Sequence, residues 1–326
     1  MTTVKNLLTA TALLAAGMAP ALAETWDMPM AYSGSNFHSV TGAEFAQCVT
    51  TGTGGAIEIK THPSGALFAG NDIKRAVQTG QVPIGERLLS AHQNENPIFG
   101  VDSIPFLATS FDQADDLWQA AKPTMEELLA EQNLKLLYSV PWPPQGLYFK
   151  EAKESVSDME GVKFRSYNNA TARLAELTGM QPVQIEAAEI SQAFATGVAS
   201  SMISSAATGY DRKVWESLNH FYQVDAWLPR NSVFVNADAW EGLTRQNRDV
   251  MLGCADLAEY AGTWRAREYT QFTLSKLAEN GMTVAPPGDT LEAELKQIGE
   301  TMTAEWLEQA GEGGAAIIEK FRAMQQ

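Results

Sequence analysis

Along the first half of this chain, stretches with apolar side chains at every second position give way to stretches with apolar side chains every third or fourth. Trp26, Met28 and Met30 share one side of an alternating run over residues 25–32, which predicts a half-buried strand. Residues 39–50 are amphipathic and stop at Gly52-Thr53-Gly54-Gly55, a helix and its terminator. The same reading predicts a strand over residues 57–61 and a helix over 71–79 closed by Gly80. A short strand over 82–85 ends at Glu86, a helix follows over 110–129 with Ser110 as its cap, and a strand over 134–140. This strand–helix rhythm predicts an α/β fold with parallel strands, in which ligands bind at the carboxyl ends of strands. Glu86 ends one such strand, and Trp142, Gln145 and Tyr148 fall in the turn after another.

Residues 244–280 read as one long helix, with Val250, Cys254, Leu257, Ala261 and Trp264 spaced four, three, four and three apart and Gly281 as the stop. At 1.5 Å per residue it spans roughly 55 Å, longer than one small domain, so it is expected to run along two lobes. Gly311, Gly313 and Gly314 predict a flexible break over residues 310–316 before a final helix.

The N-terminus sets the compartment. Lys5, an apolar run over residues 7–16 and the small-residue site Ala21-Leu22-Ala23 predict a secretory signal peptide over residues 1–23 and a periplasmic location. No later run approaches the roughly 18 uninterrupted apolar residues of a membrane span. The whole chain carries a net charge of −16, and cleavage before Glu24 removes Lys5 alone, leaving 22 basic residues against 39 acidic. So acidic a surface argues against nucleic acid and anionic membranes, and an anionic ligand must be drawn in by local arginines. About 300 remaining residues exceed what one core usually serves, so two lobes are expected. Cys48 and Cys254 lack metal-ligand spacing; either they pair in an oxidising compartment or they act as small buried hydrophobes on helix faces.

A search for catalytic arrangements turns up none. His38, His62, His92 and His220 fall in no zinc-binding spacing, and Ser200-Ser201 and Ser204-Ser205 have no flanking glycine and no nearby histidine. The glycine-rich run at residues 51–55 lacks the lysine and spacing of a phosphate loop. Glu186 and Glu189, one helical turn apart, read as acids opening a helix rather than as an acid–base pair.

The most informative segment is Gly161-Val162-Lys163-Phe164-Arg165-Ser166-Tyr167-Asn168-Asn169, which places an arginine at the end of a short hydrophobic strand. A guanidinium there is a planar five-donor fork suited to a carboxylate. This segment, the signal peptide, the run from Glu189 through Ala195-Thr196-Gly197-Val198, and Phe234-Val235-Asn236-Ala237-Asp238-Ala239-Trp240-Glu241 before the long helix resemble the solute-binding proteins of TRAP transporters, the DctP family. The resemblance covers essentially the whole mature chain. It implies a two-lobed periplasmic-binding-protein clamshell with crossing strands and a long helix shared by both lobes. The corresponding division is residues 24–146 and 232–272 for the first lobe and 147–231 and 273–326 for the second. It implies no enzymatic activity and no cofactor, and a role in capturing an organic acid for a membrane permease of small and large subunits driven by a sodium gradient. Arg165 matches the family's carboxylate-binding arginine. Monomer or dimer stays open, although dimers in the family exchange a C-terminal helix and the glycines at 311–314 would permit this.

Two departures narrow the ligand. Where many members carry Asp-Gly-x-Glu-Asn, this chain has Ser200-Ser201-Met202-Ile203-Ser204-Ser205, so Ser204 or Ser205 stands in for the ligand-binding amide. Tyr148 stands where sialic-acid binders carry a second arginine, which argues against sialate. Tyr32, Glu86 and Asn168 are further pocket candidates, with Asn169 just past Arg165. Trp142-Pro143-Pro144-Gln145 offers a stiff aromatic wall, joined by Tyr148, Tyr210 and Trp227. These features predict a ring-bearing monocarboxylate, a benzoate-like acid first and a uronate next. A small keto or hydroxy acid, or a sensor that hands its ligand to a receptor, are the alternatives.

Overall fold

A computed structural model describes residues 24–325; the leader predicted over residues 1–23 lies outside them. In chain order the first part runs β1 (Glu24–Pro29), α1 (Phe37–Gly52), β2 (Ile57–His62), α2 (Ile73–Gln78), β3 (Ile84–Leu88), α3 (Phe111–Glu131) and β4 (Leu134–Pro141). The middle comprises β5 (Gln145–Phe149), β6 (Lys163–Ser166), α4 (Asn169–Leu177), β7 (Gln181–Gln184), α5 (Ile190–Ala195), β8 (Ser201–Ser205), α6 (Ala206–Asp211) and β9 (His220–Tyr222). The chain ends with β10 (Arg230–Asn236), α7 (Ala237–Gly242), α8 (Arg245–Glu279), β11 (Thr283–Ala285) and α9 (Asp289–Met324). No helix among the described residues is long and apolar enough to cross a membrane.

Two sheets define two lobes. In the first, β10 lies between β3 and β4, and the parallel pair β1–β2 joins its edge through a bridge between Met30 and Glu86. In the second the order is β11-β9-β5-β8-β6-β7. The expectation of parallel strands holds only in part: β10 runs antiparallel to both β3 and β4, and β5 runs antiparallel to β8 and β9. These two exceptions are the strands that carry the chain between lobes. β5 leaves the first lobe and β10 returns to it, so each enters its sheet against the direction of its neighbours.

The two crossings are bonded to one another. Trp142 N donates to Pro229 O at 2.7 Å, Gln145 N to Trp227 O at 3.0 Å and Ala226 N to Gln145 O at 2.9 Å. Pro143, Pro144 and Pro229 fix φ in this ribbon and stiffen it.

α8 begins at the Thr244 cap, whose hydroxyl accepts from Asn247 N, and gives way to Gly281 at φ +92°. Its 35 residues reach about 52 Å. It packs on α1 and β4 of the first lobe and on α6 and β11 of the second. The buried face is not the expected one. Met251, Cys254, Ala255, Ala258, Gly262 and Ala266 face inward, whereas Leu257 and Trp264 are 65% and 60% exposed. Small residues let α8 lie close to the sheet: a Cβ on Gly262 would come within 2.6 Å of Val140. Cys48 and Cys254 form a disulfide that ties α1 to α8.

The predicted break over residues 310–316 is a kink at a single residue, Gly311, at φ 59° and ψ −147°, inside an otherwise continuous α9. Beyond its middle α9 returns to the first lobe, where Trp306, Ile317, Ile318 and Phe321 share a core with Trp118 and Met125 of α3.

Candidate functional site

Arg87, Arg165 and Arg230 are 4% exposed or less and Arg173 lies in a hollow, and the partners of the last three show which can receive an anion. Arg173, in an open groove of about 510 Å³ beside α9, is engaged by both carboxylate oxygens of Glu305 and by Glu176. Arg230 is held by Asp115 and by Ser139 O. Arg165 differs. Third of the four residues of β6, it is 4% exposed, and only its Nε is engaged, donating to Ile185 O at 2.9 Å. Neither terminal nitrogen has a hydrogen-bond partner among the described residues. Its guanidinium lies 4.9 Å from the Tyr167 ring centre, and burial pulls its pKa down to about 10. A desolvated charge with a free fork is arranged for an anion.

The space in front of that fork is a cavity of about 40 Å³ between the lobes, room for on the order of three waters. The second lobe contributes Arg165, Tyr167, Glu186, Ser204 and Thr208; the first contributes Tyr32, Arg87 and Leu88. The crossing ribbon supplies Trp142, Gln145 and Pro229. Trp142 meets Tyr32 edge to face, with ring centres 4.8 Å apart, and its Nε1 donates to Asn231 Oδ1 at 2.8 Å. Burial pushes the Tyr32 hydroxyl up to about 12, so it stays protonated and available as a donor. Tyr167 accepts from Trp227 Nε1 at 3.1 Å, which places Trp227 behind the cavity wall.

Of the residues singled out in the sequence, the structure brings Arg165, Tyr32, Trp142 and Ser204 to this cavity. Six others go elsewhere. Tyr148 is not in a turn but within β5, fully buried, donating to Ser205 O and packed on Phe221. Side chains alternate along a strand, so Tyr148 turns from the cavity that Gln145 faces. Ser205 caps α6, its hydroxyl accepting from Thr208 N at 3.3 Å. Tyr210 lines a separate open groove of about 690 Å³ with Tyr269 and Phe272. Asn168 caps α4 through Thr171 N, and its Nδ2 donates across to Ser90 and Ser103 of the first lobe. Asn169 faces the groove beside Arg173.

Glu86 does not end its strand; it is the central residue of β3. There it receives Asn231 Nδ2 at 2.8 Å and lies 3.8 Å from His38 Nδ1, behind Trp142. Burial raises its pKa to about 7, against the opposing pull of Asn231 and of the Arg87 charge. Burial also lowers His38 well below its usual value, and both of its ring nitrogens lack partners.

Sequence reasoning missed Arg87, Tyr167 and Thr208, and read Glu186 only as a helix opener. The signal for Arg87 was present: Ile84-Gly85-Glu86-Arg87-Leu88 continues an apolar strand through two charges, a pattern unusual in a buried strand. Glu186 does cap its turn, with Glu189 bonded to its backbone N, yet its carboxylate also reaches the cavity.

Two lobes on a crossed ribbon, closing over an enclosed arginine fork, define a solute receptor for organic acids rather than an enzyme. The chain belongs to the DctP family, bacterial extracellular solute-binding protein, family 7, whose model matches residues 30–310. It is 52% identical to a TRAP solute-binding protein from a marine metagenome, specific for pyroglutamate and crystallised with co-purified pyroglutamate; the match covers 93% of this chain and 99% of that one at a TM-score of 0.92. DctP6 of Bordetella pertussis, an extracytoplasmic receptor binding pyroglutamic acid, is 41% identical at a TM-score of 0.90, covering 92% of this chain and 99% of its own. The ectoine/5-hydroxyectoine-binding periplasmic protein UehA of Ruegeria pomeroyi is 24% identical over 318 residues, 95% of this chain and 93% of its own.

Proposed function

We propose that the protein captures pyroglutamate, or a five-membered lactam acid of the same size, in the periplasm and delivers it to the small and large membrane subunits of a sodium-driven TRAP permease. The carrying observation is the Arg165 fork, free and enclosed in a cavity of about 40 Å³. A monocarboxylate completes that fork with two charge-assisted hydrogen bonds. The choice of ring rests on the 52% identical receptor, which was crystallised with co-purified pyroglutamate. The proposed ligand is a ring-bearing monocarboxylate with a lactam in place of the benzoate-like ring expected from the sequence. Export would follow from the leader over residues 1–23.

A thermal-shift panel tests the ligand. A ligand that binds only the folded state at 100 times its Kd stabilises by about 2.7 kcal/mol, several degrees of Tm. L-Pyroglutamate is expected to give that shift while benzoate and glucuronate give none. A shift with benzoate or glucuronate and none with pyroglutamate would overturn the reading.

A further inference from the structure

We infer that Arg87 and Glu186, which face each other from opposite lobes, read the amide edge of the ligand and make the pocket selective for acids carrying an acceptor beside an N–H donor. The inference rests on the pyroglutamate reading and deepens it. With the ligand carboxylate on Arg165, these are the two remaining charged groups that line the cavity. Their charges offset each other, so the lining carries one net positive charge and takes one negative charge. That fits a monoanion whose second polar end is neutral. It does not fit a dicarboxylate, whose second negative charge exceeds the one net positive charge of the lining.

The pair is also incompletely bonded to itself. Arg87 Nη2 donates to Asn71 Oδ1 and lies 3.5 Å from Glu186 Oε1, at the outer limit of a hydrogen bond. Arg87 Nε is buried without any partner. Arg87 Nη1 makes no hydrogen bond among the described residues either, and it is the donor left for a ring carbonyl. The Glu186 carboxylate, an acceptor only, is suited to an N–H. Space for the pair is kept by Gly70: a Cβ there would fall 2.7 Å from Arg87 Nη1 and 2.7 Å from Glu186 Oε2. Any other residue at position 70 would push the two side chains apart.

The test is a calorimetric series on the ligand-stripped full chain with pyroglutamate, N-methylpyroglutamate, cyclopentanecarboxylate and glutarate. Wild type is expected to lose roughly 10–100-fold on N-methylation and more on loss of both amide groups, the range for leaving one buried partner unmet. Glu186→Ala is expected to bring the pyroglutamate to N-methylpyroglutamate ratio close to one and to gain affinity for glutarate, because Arg87 is then free for a second carboxylate. Glu186→Gln, which keeps an acceptor oxygen, restores part of the ratio. The glutarate gain separates ligand reading from a merely structural role, and unchanged circular dichroism checks the fold. An unchanged ratio in Glu186→Ala, or wild type binding cyclopentanecarboxylate as tightly as pyroglutamate, overturns the inference while the pyroglutamate reading stands. Failure of wild type to bind pyroglutamate at all overturns both.

Discussion

Arg165 is held by one backbone carbonyl, stacked on one ring and otherwise left with its donors free. A buried charge that lacks its partner destabilises the empty protein, because desolvation is not offset until an anion arrives. Arg165→Ala is therefore expected to leave the Tm of the empty protein level with wild type or above it. A fall of many degrees in a melting curve would mean that Arg165 holds the fold and not the ligand. Glu86, behind the wall formed by Trp142, carries a second cost of the same kind. Its folded pKa of about 7 lies above the unfolded value, so its contribution is fully present below about pH 4.5 and is lost as pH rises through 7. Glu86→Gln keeps the acceptor for Asn231 but cannot ionise. Its Tm is expected to match or trail wild type at pH 5 and to gain on it by pH 8, by on the order of 3 kcal/mol at most. A difference in Tm that does not change with pH would show that Glu86 ionises freely.

At the scale of elements, the boundaries of α8 were legible because its signals are local: the Thr244 cap and Gly281 place the ends within a residue of those observed. Its buried face was not. Periodicity weighted by large side chains selected Leu257 and Trp264, whereas close packing against β4 selects small ones, and an alanine or glycine face carries little apolar signal. The two faces give opposite expectations. Gly262→Leu forces a side chain into Val140 and should destabilise by about 1–3 kcal/mol, while Trp264→Glu should stay within about 0.5 kcal/mol of wild type in denaturant melts. Equal effects would contradict the packing. β5 was hidden for another reason: Pro143-Pro144 reads as a turn, yet the strand starts directly after it, which sent Tyr148 to the wrong side. The candidate site was legible where chain order alone places a residue, as for Arg165. It was not legible where strand phase and lobe closure decide, as for Arg87, Glu186 and Thr208.

For the molecule as a whole, the site exists only because two sheets meet. Arg165 and Glu186 come from one lobe, Arg87 and Tyr32 from the other, and Asn168 reaches across to Ser90 and Ser103. α8, running along both lobes, and the crossed ribbon at Trp142 and Pro229 hold the lobes in register. Closure over a charged ligand follows from the enclosure of Arg165, since water must leave before the ion pair reaches full strength. Small-angle scattering of ligand-stripped protein should show a smaller radius of gyration on adding pyroglutamate, and an identical profile would speak against closure. The overall charge of −16 repels an anion, so affinity must come from the local arginines. That claim is tested most directly by calorimetric titration of L-pyroglutamate into the ligand-stripped protein and its Arg165→Ala variant, side by side. Saturable one-to-one binding by wild type and a loss of at least about 100-fold in the variant, on the order of 3 kcal/mol, is the predicted result. Equal affinity in the two proteins would contradict the account.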